Sequence, residues 1–383
     1  MKGQAFLVLA AVFLLVFGAV VSGTILTPYA RSLGAPWPAV GLLTAGMYLV
    51  RLLFGAPIGR LADRKGVVAI LHLSLALYPF IAVAYWLARD VYTLIAARLL
   101  HGVASAMLLP MAMAYIGQLS PPGEEGRYMG VYNTVYFLGN GLGPMASTVV
   151  ASLFRGYRPS FVVMLILSIM ALAVMGVSQS SRRSLRRPRS QQDTRSIFPA
   201  RVLIADRRLL ALAGLQIALA VIAGLVGFFL LPFLRQRGIA LILTGSVISV
   251  FNLVTGLIQM PCGRMTDRSD KYRITLVSGL ATTSALLLFP FARSIWAMAA
   301  VMLVMAAGSA ILLAAASALA AEVGRRLGMG STMGFLNTAY SAGMVLGCLA
   351  LSLAPGGEDM NGFFYLAGGV TAICVILYAG MWR

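Results

Sequence analysis

Long apolar runs alternate with short polar or charged breaks along the whole chain. A run of about 20 apolar residues is what an α-helix needs to cross the hydrocarbon core of a bilayer. The pattern therefore predicts an all-α membrane protein of twelve transmembrane helices. They fall over residues 5–29, 39–58, 67–88, 91–118, 128–153, 160–177, 209–234, 244–262, 274–291, 295–320, 331–353 and 362–382. One long hydrophilic stretch, rich in arginine, separates the sixth from the seventh. It divides the chain into an N-terminal six-helix bundle (1–178), a basic cytoplasmic linker (179–208) and a C-terminal six-helix bundle (209–383). The first run, with Lys2 before it and small residues near Ser22, has features of a cleaved signal. It continues through Pro28, however, and its second-half counterpart is internal, so it is taken as a span.

The breaks repeat. A single offset of 204 residues carries the charged turn Gly59-Arg60-Leu61-Ala62-Asp63-Arg64 onto Gly263-Arg264-Met265-Thr266-Asp267-Arg268. It also carries Pro28, Arg31, Gly34 and Pro57 onto Pro232, Arg235, Gly238 and Pro261. Gly130, Asn133, Thr134, Tyr136, Gly139 and Gly143 fall onto Gly334, Asn337, Thr338, Tyr340, Gly343 and Gly347. An offset held without insertion predicts two homologous halves. Six spans per half makes them parallel repeats. Each can bury its polar face only against the other, which predicts a polar cavity on the axis between them.

These residues resemble the major facilitator superfamily of secondary transporters, in its 12-helix drug and metabolite exporter branch. Gly59 to Gly66 is similar to that family's signature loop between helices 2 and 3, and the resemblance extends over essentially the whole chain. It implies a fold with both termini cytoplasmic and an alternating-access cycle. In the family, the loop's Asp helps lock the halves together on the cytoplasmic side. That role passes to Gly59, Asp63 and Arg64, with Arg64 as a local ion partner of Asp63, and to Gly263, Asp267 and Arg268. Val67 and Val68 stand where the family usually has two basic residues. Arg98-Leu-Leu-His-Gly102 matches the family's helix 4 motif. Gly139-x-x-x-Gly143-Pro144 resembles its antiporter motif, with Ser147 and Thr148 in place of the closing glycine pair, and implies export over uptake.

Composition agrees with the pattern and adds a direction. The chain is 60 % hydrophobic and 11 % charged, more apolar than a water-soluble fold hides. The net charge of +19 does not point to nucleic acid. Its Lys and Arg concentrate in Lys2, the even-numbered loops and Arg383, which the positive-inside rule places in the cytoplasm, close to anionic lipid. The localisation expected is the inner (cytoplasmic) membrane. Cys262, Cys348 and Cys374 lie in apolar segments and read as packing residues. Neither a metal-ligand spacing, a cofactor motif nor a nucleotide-binding loop is present, and no nucleophile–base pair suggests an enzyme.

The candidate substrate residues are polar positions inside spans. Arg51 lies eight residues before Gly59, near mid-depth, with Tyr48 one turn earlier on the same face. Its second-half counterpart is Thr255; Asn252 corresponds to Tyr48, and Gln259 lies a turn beyond. Asn133, Tyr136 and Asn140 form a second stripe, echoed by Asn337 and Tyr340. These residues read equally as cavity lining or as hydrogen bonds between helices. Arg98 and His101 share a face, and an intramembrane charge needs a partner or water. All eleven acidic residues lie in loops or at span ends, so the predicted cavity is neutral or electropositive. Histidine is the side chain that titrates near neutral pH. The expectation is a secondary transporter, monomeric, exporting a small amphiphilic or anionic compound against proton entry. The alternatives are an organic-anion importer or facilitator, a (lyso)lipid translocator, and a transport-inactive sensor.

Overall fold

Each apolar run folds into a helix, and its ends fall at the polar breaks. The computed structural model describes residues 3–183, 205–230, 233–234, 237, 241–353 and 361–382. The middle of the basic linker and the repeat positions Pro232, Arg235 and Gly238 lie outside the described residues. The helices are α1 (Gly3–Thr24), α2 (Leu26–Ser32), α3 (Trp37–Lys65), α4 (Val67–Leu87), α5 (Val91–Leu119), α6 (Glu125–Leu153) and α7 (Pro159–Arg183). They continue with α8 (Arg207–Gly224), α9 (Leu241–Arg268), α10 (Lys271–Leu288), α11 (Ile295–Leu327), α12 (Met329–Leu353) and α13 (Asn361–Trp382). A π-helical turn, Leu225–Phe229, extends α8. No strand occurs among the described residues.

Sequence cues set several ends. Asp90 caps α5 by accepting from the backbone N–H groups of Tyr92 and Thr93, and the Thr93 backbone and hydroxyl hold its carboxyl below the usual range. Asp206, Asp270 and Ser294 cap α8, α10 and α11 in the same way. Gly66, at φ 97°, ends α3 in a conformation that a side chain resists.

Several boundaries differ from the sequence reading. The charged stretch from Gly59 to Lys65 is helical, the last turns of α3 rather than a turn between helices. Nothing between Gly59 and Gly66 breaks the hydrogen-bond ladder, so the helix runs on past the apolar part. The same is true of α9 as far as Arg268. Also, α7 continues to Arg183, into the segment assigned to the linker.

Nine helices among the described residues are long and apolar enough to cross a membrane. The helices α6, α9 and α12 fall outside that set. These carry the polar stripes, and they pack on protein: α6 lies along α9, and α12 along α3. Both pairs join the first half of the chain to the second. On the flanks, α1 lies against α6 and α7, and α8 against α12 and α13. Glycines permit the central crossings. A Cβ added at Gly334 would sit 2.6 Å from the Gly55 carbonyl oxygen, and one added at Gly130 would sit 2.6 Å from that of Gln259. Backbone-to-backbone approach of this kind is how helices pack closely without a hydrophobic drive between them.

Candidate functional site

The two signature stretches meet the opposite half of the chain. Asp63, at the end of α3, accepts from the backbone N–H groups of Gly330 (2.8 Å) and Ser331 (2.7 Å) in the first turn of α12. Asp267, at the end of α9, accepts from those of Gly126 (2.7 Å) and Arg127 (2.8 Å) in the first turn of α6. A helix start carries unpaired donors and the positive end of the helix dipole, so each carboxylate caps its partner helix. Arg64, expected as an ion partner of Asp63, is exposed and forms no ion pair among the described residues; neither does Arg268. Asp63 spends both oxygens on the backbone instead.

Sequence reasoning missed an ionic cluster beside the second latch. Glu125 is 2 % exposed. It accepts from the Gly123 backbone, pairs with Arg325 at 2.9 Å and lies 4.0 Å from Lys271, which also pairs with Glu322. Arg325 donates further to the carbonyl oxygen of Ser120. The counterparts of Glu125, Lys271 and Arg325 at the repeat offset are Met329, Val67 and Pro121, so the repeat does not supply such a cluster to the first latch, and none occurs there among the described residues. Each charge was visible in the sequence. The pairing, across some 150 to 200 residues, was not.

Asp63→Asn is expected to loosen the latched end, because one of two acceptors becomes a donor facing an N–H. The cost of about 1–2 kcal/mol is roughly a five- to thirtyfold change in the latched-to-open ratio. Asp267→Asn is expected to cost less. Burial pushes the Asp267 carboxyl up, against the N–H groups of Arg127 and Gly126 and the Lys271 ammonium, which pull it down. A carboxyl raised in the latched arrangement holds its proton more tightly there than when exposed. Acidification toward the ordinary carboxylate range therefore favours latching, and the gain is lost as pH rises through the raised value. Asn at 267 removes that pH dependence. Spin-label distances between the ends of α3 and α10 check both points, and equal shifts in the two variants would contradict this ranking.

The cavity lies beyond the latches. A volume of about 380 Å³ opens between α3, α5 and α6 on one side and α8, α9, α11 and α12 on the other. Tyr48, Arg51, Asn133, Tyr136, Asn140, Asn252, Thr255, Asn337 and Tyr340 all line it. A second lobe, about 450 Å³, extends among α1, α3 and α5 and is lined by Arg98 and His101. Tyr48, Arg51, Tyr136 and Asn140 border both lobes. Gln259 lines neither. It is fully buried, accepts from the Asn133 amide (3.2 Å) and donates to the Ala310 carbonyl (3.1 Å), so it ties α6 to α9 and α11. Asn133 does both jobs that its position allowed, lining the cavity and joining helices.

Arg51 is 4 % exposed, and its Nη2 donates to Asn337 Oδ1 at 2.5 Å across the two halves. Its guanidinium stands 5.4 Å from the ring centre of Tyr48 and 5.9 Å from that of Tyr340. Arg98 donates its Nε to the Leu43 carbonyl at 2.9 Å, a carbonyl of α3. His101 is held at Nδ1 by the Tyr85 hydroxyl (3.2 Å), edge-on to Tyr78 and Tyr85. His72 bonds back to Val68 on its own helix and lines neither lobe. Gly139 and Gly143 set α6 against Val16 and Val20 of α1, and Thr148 donates to the carbonyl of Pro144. The apolar wall, including Met113, Phe137, Phe251, Met333 and Met344, was not foreseen. In a chain this hydrophobic, such residues carry no signal that separates cavity from lipid.

The sequence profile of the Major Facilitator Superfamily matches residues 8–245 and, a second time, 222–383. An uncharacterized MFS-type transporter of Methanocaldococcus jannaschii is 22 % identical over 353 residues, covering 91 % of this chain and 90 % of that one. A triacylglyceride transporter of Mycobacterium tuberculosis is 31 % identical over 196 residues, 50 % of this chain and 36 % of its own. The quinolone resistance protein NorA of Staphylococcus aureus is 25 % identical over 153 residues, 39 % of either chain. The solved structure of the human organic anion transporter MFSD10 (TETRAN) matches with a TM-score of 0.76 at 15 % identity, over 99 % of this chain and 100 % of that one, so the fold is shared. With the profile matched from residue 8 to residue 383, the chain belongs to the Major Facilitator Superfamily and is a multi-pass membrane transporter, not an enzyme.

Proposed function

We propose that this transporter is a secondary active exporter that moves a small anionic amphiphile by alternating access, against proton entry. One observation carries the charge selection: arginines line the cavity, and among the described residues no carboxylate lines either lobe. A buried guanidinium keeps its charge, and in a low-dielectric cavity its field attracts anions and repels cations. The cavity volume suits a small organic molecule, and the methionine and phenylalanine wall suits an apolar body.

The finer architecture belongs to the same reading. Twelve spans form two six-helix bundles, 1–178 and 209–383, joined by the basic linker 179–208. Lysine and arginine placement puts both termini and the latched end in the cytoplasm and the chain in the inner membrane, as a monomer whose linker meets anionic lipid. The state described is then outward-facing. Likeness to NorA supports export. A single-chain lipid is a second reading, favoured by the apolar wall and by the likeness to triacylglyceride transporters.

The test is thermal stabilisation of the purified protein by ligands of equal chain length bearing carboxylate, sulfonate, phosphate or quaternary ammonium heads. A ligand stabilises the state that it binds by mass action. Anions are expected to raise Tm with concentration, and cations are not. Stabilisation by the cations alone would overturn the reading.

Coupling falls to His101, the one histidine lining either lobe. His101→Gln keeps size and hydrogen bonding and removes the titration. It is expected to cut pH-gradient-driven transport by about tenfold or more while leaving ligand binding nearly unchanged. Full gradient-driven transport in the variant would exclude His101 as the carrier.

A further inference from the structure

The two lobes differ in chemistry, and the difference points to a division of the substrate. The lobe among α1, α3 and α5 holds two guanidinium groups, Arg51 and Arg98, and His101. Among the described residues neither arginine forms an ion pair with a carboxylate. Their partners are neutral: the Asn337 side-chain oxygen and two tyrosine rings for Arg51, the Leu43 carbonyl for Arg98. Arg51 Nε is buried with no partner, as is Asn337 Nδ2 beside it. Buried donors left unpaired are costly, and a ligand oxygen would satisfy the guanidinium of Arg51. The lobe facing α8, α9 and α12 shares Arg51 with the first, has no second guanidinium among its described lining residues, and carries Phe251, Met333 and Met344 in its wall.

We infer that the first lobe seats a dianionic, phosphate-type headgroup between Arg51 and Arg98, and that the second lobe takes the apolar tail. The inference rests on the anionic reading above and narrows it. Two uncompensated positive charges are best neutralised by a group carrying two negative ones. A phosphate monoester carries a charge of about −1.5 to −2 at neutral pH and three acceptor oxygens. Arginine forks match those oxygens in pairs. A carboxylate or sulfonate neutralises one guanidinium and leaves the other bare. His101 faces the same lobe, its Nδ1 already held by Tyr85.

The experiment compares octyl phosphate, octyl sulfonate, inorganic phosphate and octyltrimethylammonium, bound to the full chain in nanodiscs and measured by calorimetry. At about pH 8, octyl phosphate is expected to bind about tenfold tighter than octyl sulfonate, because its second ionisation lies near pH 6. At about pH 5.5 the preference should collapse, since the ester is then largely a monoanion. Sulfonate is the control: titration of His101 would move both ligands, whereas titration of the phosphate moves one. Inorganic phosphate should bind more weakly than octyl phosphate, having no tail for the second lobe. Arg98→Gln should bring the two octyl anions to near-equal affinity while sulfonate binding is retained. The wild-type pH series decides the matter even if that variant fails to fold. Equal affinity of the two octyl anions at pH 8, or a preference untouched by Arg98→Gln, would overturn the divided cavity and leave the anionic reading standing. Binding of octyltrimethylammonium with neither anion bound would remove both.

Discussion

Gly263→Val is expected to hold the latched end open and to reduce transport by about a hundredfold or more. A Cβ at Gly263 would lie 2.8 Å from the Gly126 carbonyl carbon and 3.1 Å from the Gly130 Cα. Both are backbone atoms, so no rotamer change relieves the clash; α9 must move away from α6. That movement draws Asp267 from the N–H groups of Gly126 and Arg127, and Lys271 from Glu125. Overpacking costs about 1–3 kcal/mol, and lost hydrogen bonds to a charged group about 1.5–3 kcal/mol more. Their sum, about 2.5–6 kcal/mol, spans the roughly 2.8 kcal/mol that a hundredfold shift requires, and most of the range lies above it. Spin labels at Lys65 and Arg273, on a background without the three cysteines, report the separation directly. Gly347→Val is the control: among the described residues nothing lies within 4 Å of a Cβ there, although Gly347 belongs to the same repeated pattern. An unchanged distance distribution in Gly263→Val would show that this crossing does not govern closure.

That contrast marks how far the sequence could be read. The repeat, the all-helical class and the residues of the latches were all visible, because a fixed offset and a span-length apolar period are properties of the string itself. The partners of those residues were not. Asp63 was assigned a neighbouring arginine, but its oxygens reach the start of a helix 267 residues away. Polar positions inside apolar spans were rare enough to stand out, and so Arg51, Asn337 and Tyr340 were found before their contact was known. Gln259 stood out for the same reason and proved to be a tie between helices. Polarity in a span says that a group avoids lipid, not whether it meets a cavity or another side chain. The opposite failure concerns Phe251 and Met344, where a side chain suited to lipid faces the cavity instead.

Arg51→Gln is expected to weaken anion binding by about thirtyfold, because removing one partner of a desolvated charge contact costs roughly 2–5 kcal/mol. The loss has two separable sources. One is the field of the guanidinium, which borders both lobes with no carboxylate beside it among the described residues. The other is the bond from Arg51 Nη2 to Asn337 Oδ1, which ties α3 to α12 at the depth of the cavity. Glutamine shortens the reach and removes the charge, so it cuts both. Asn337→Ala cuts only the tie: the charge stays, and the buried and unpartnered Asn337 Nδ2 disappears with the side chain. Calorimetry on the two variants, with spin-label distances across α3 and α12, separates the effects. Charge selection predicts that Asn337→Ala keeps anion affinity within about fivefold while its distance distribution broadens, since a neutral tie contributes only about 1 kcal/mol. Arg51→Gln should lose affinity in proportion to ligand charge and leave an uncharged ligand of the same chain length nearly unaffected. Equal losses for charged and uncharged ligands would mean that Arg51 serves to hold the two halves in register, and that the cavity does not select by charge.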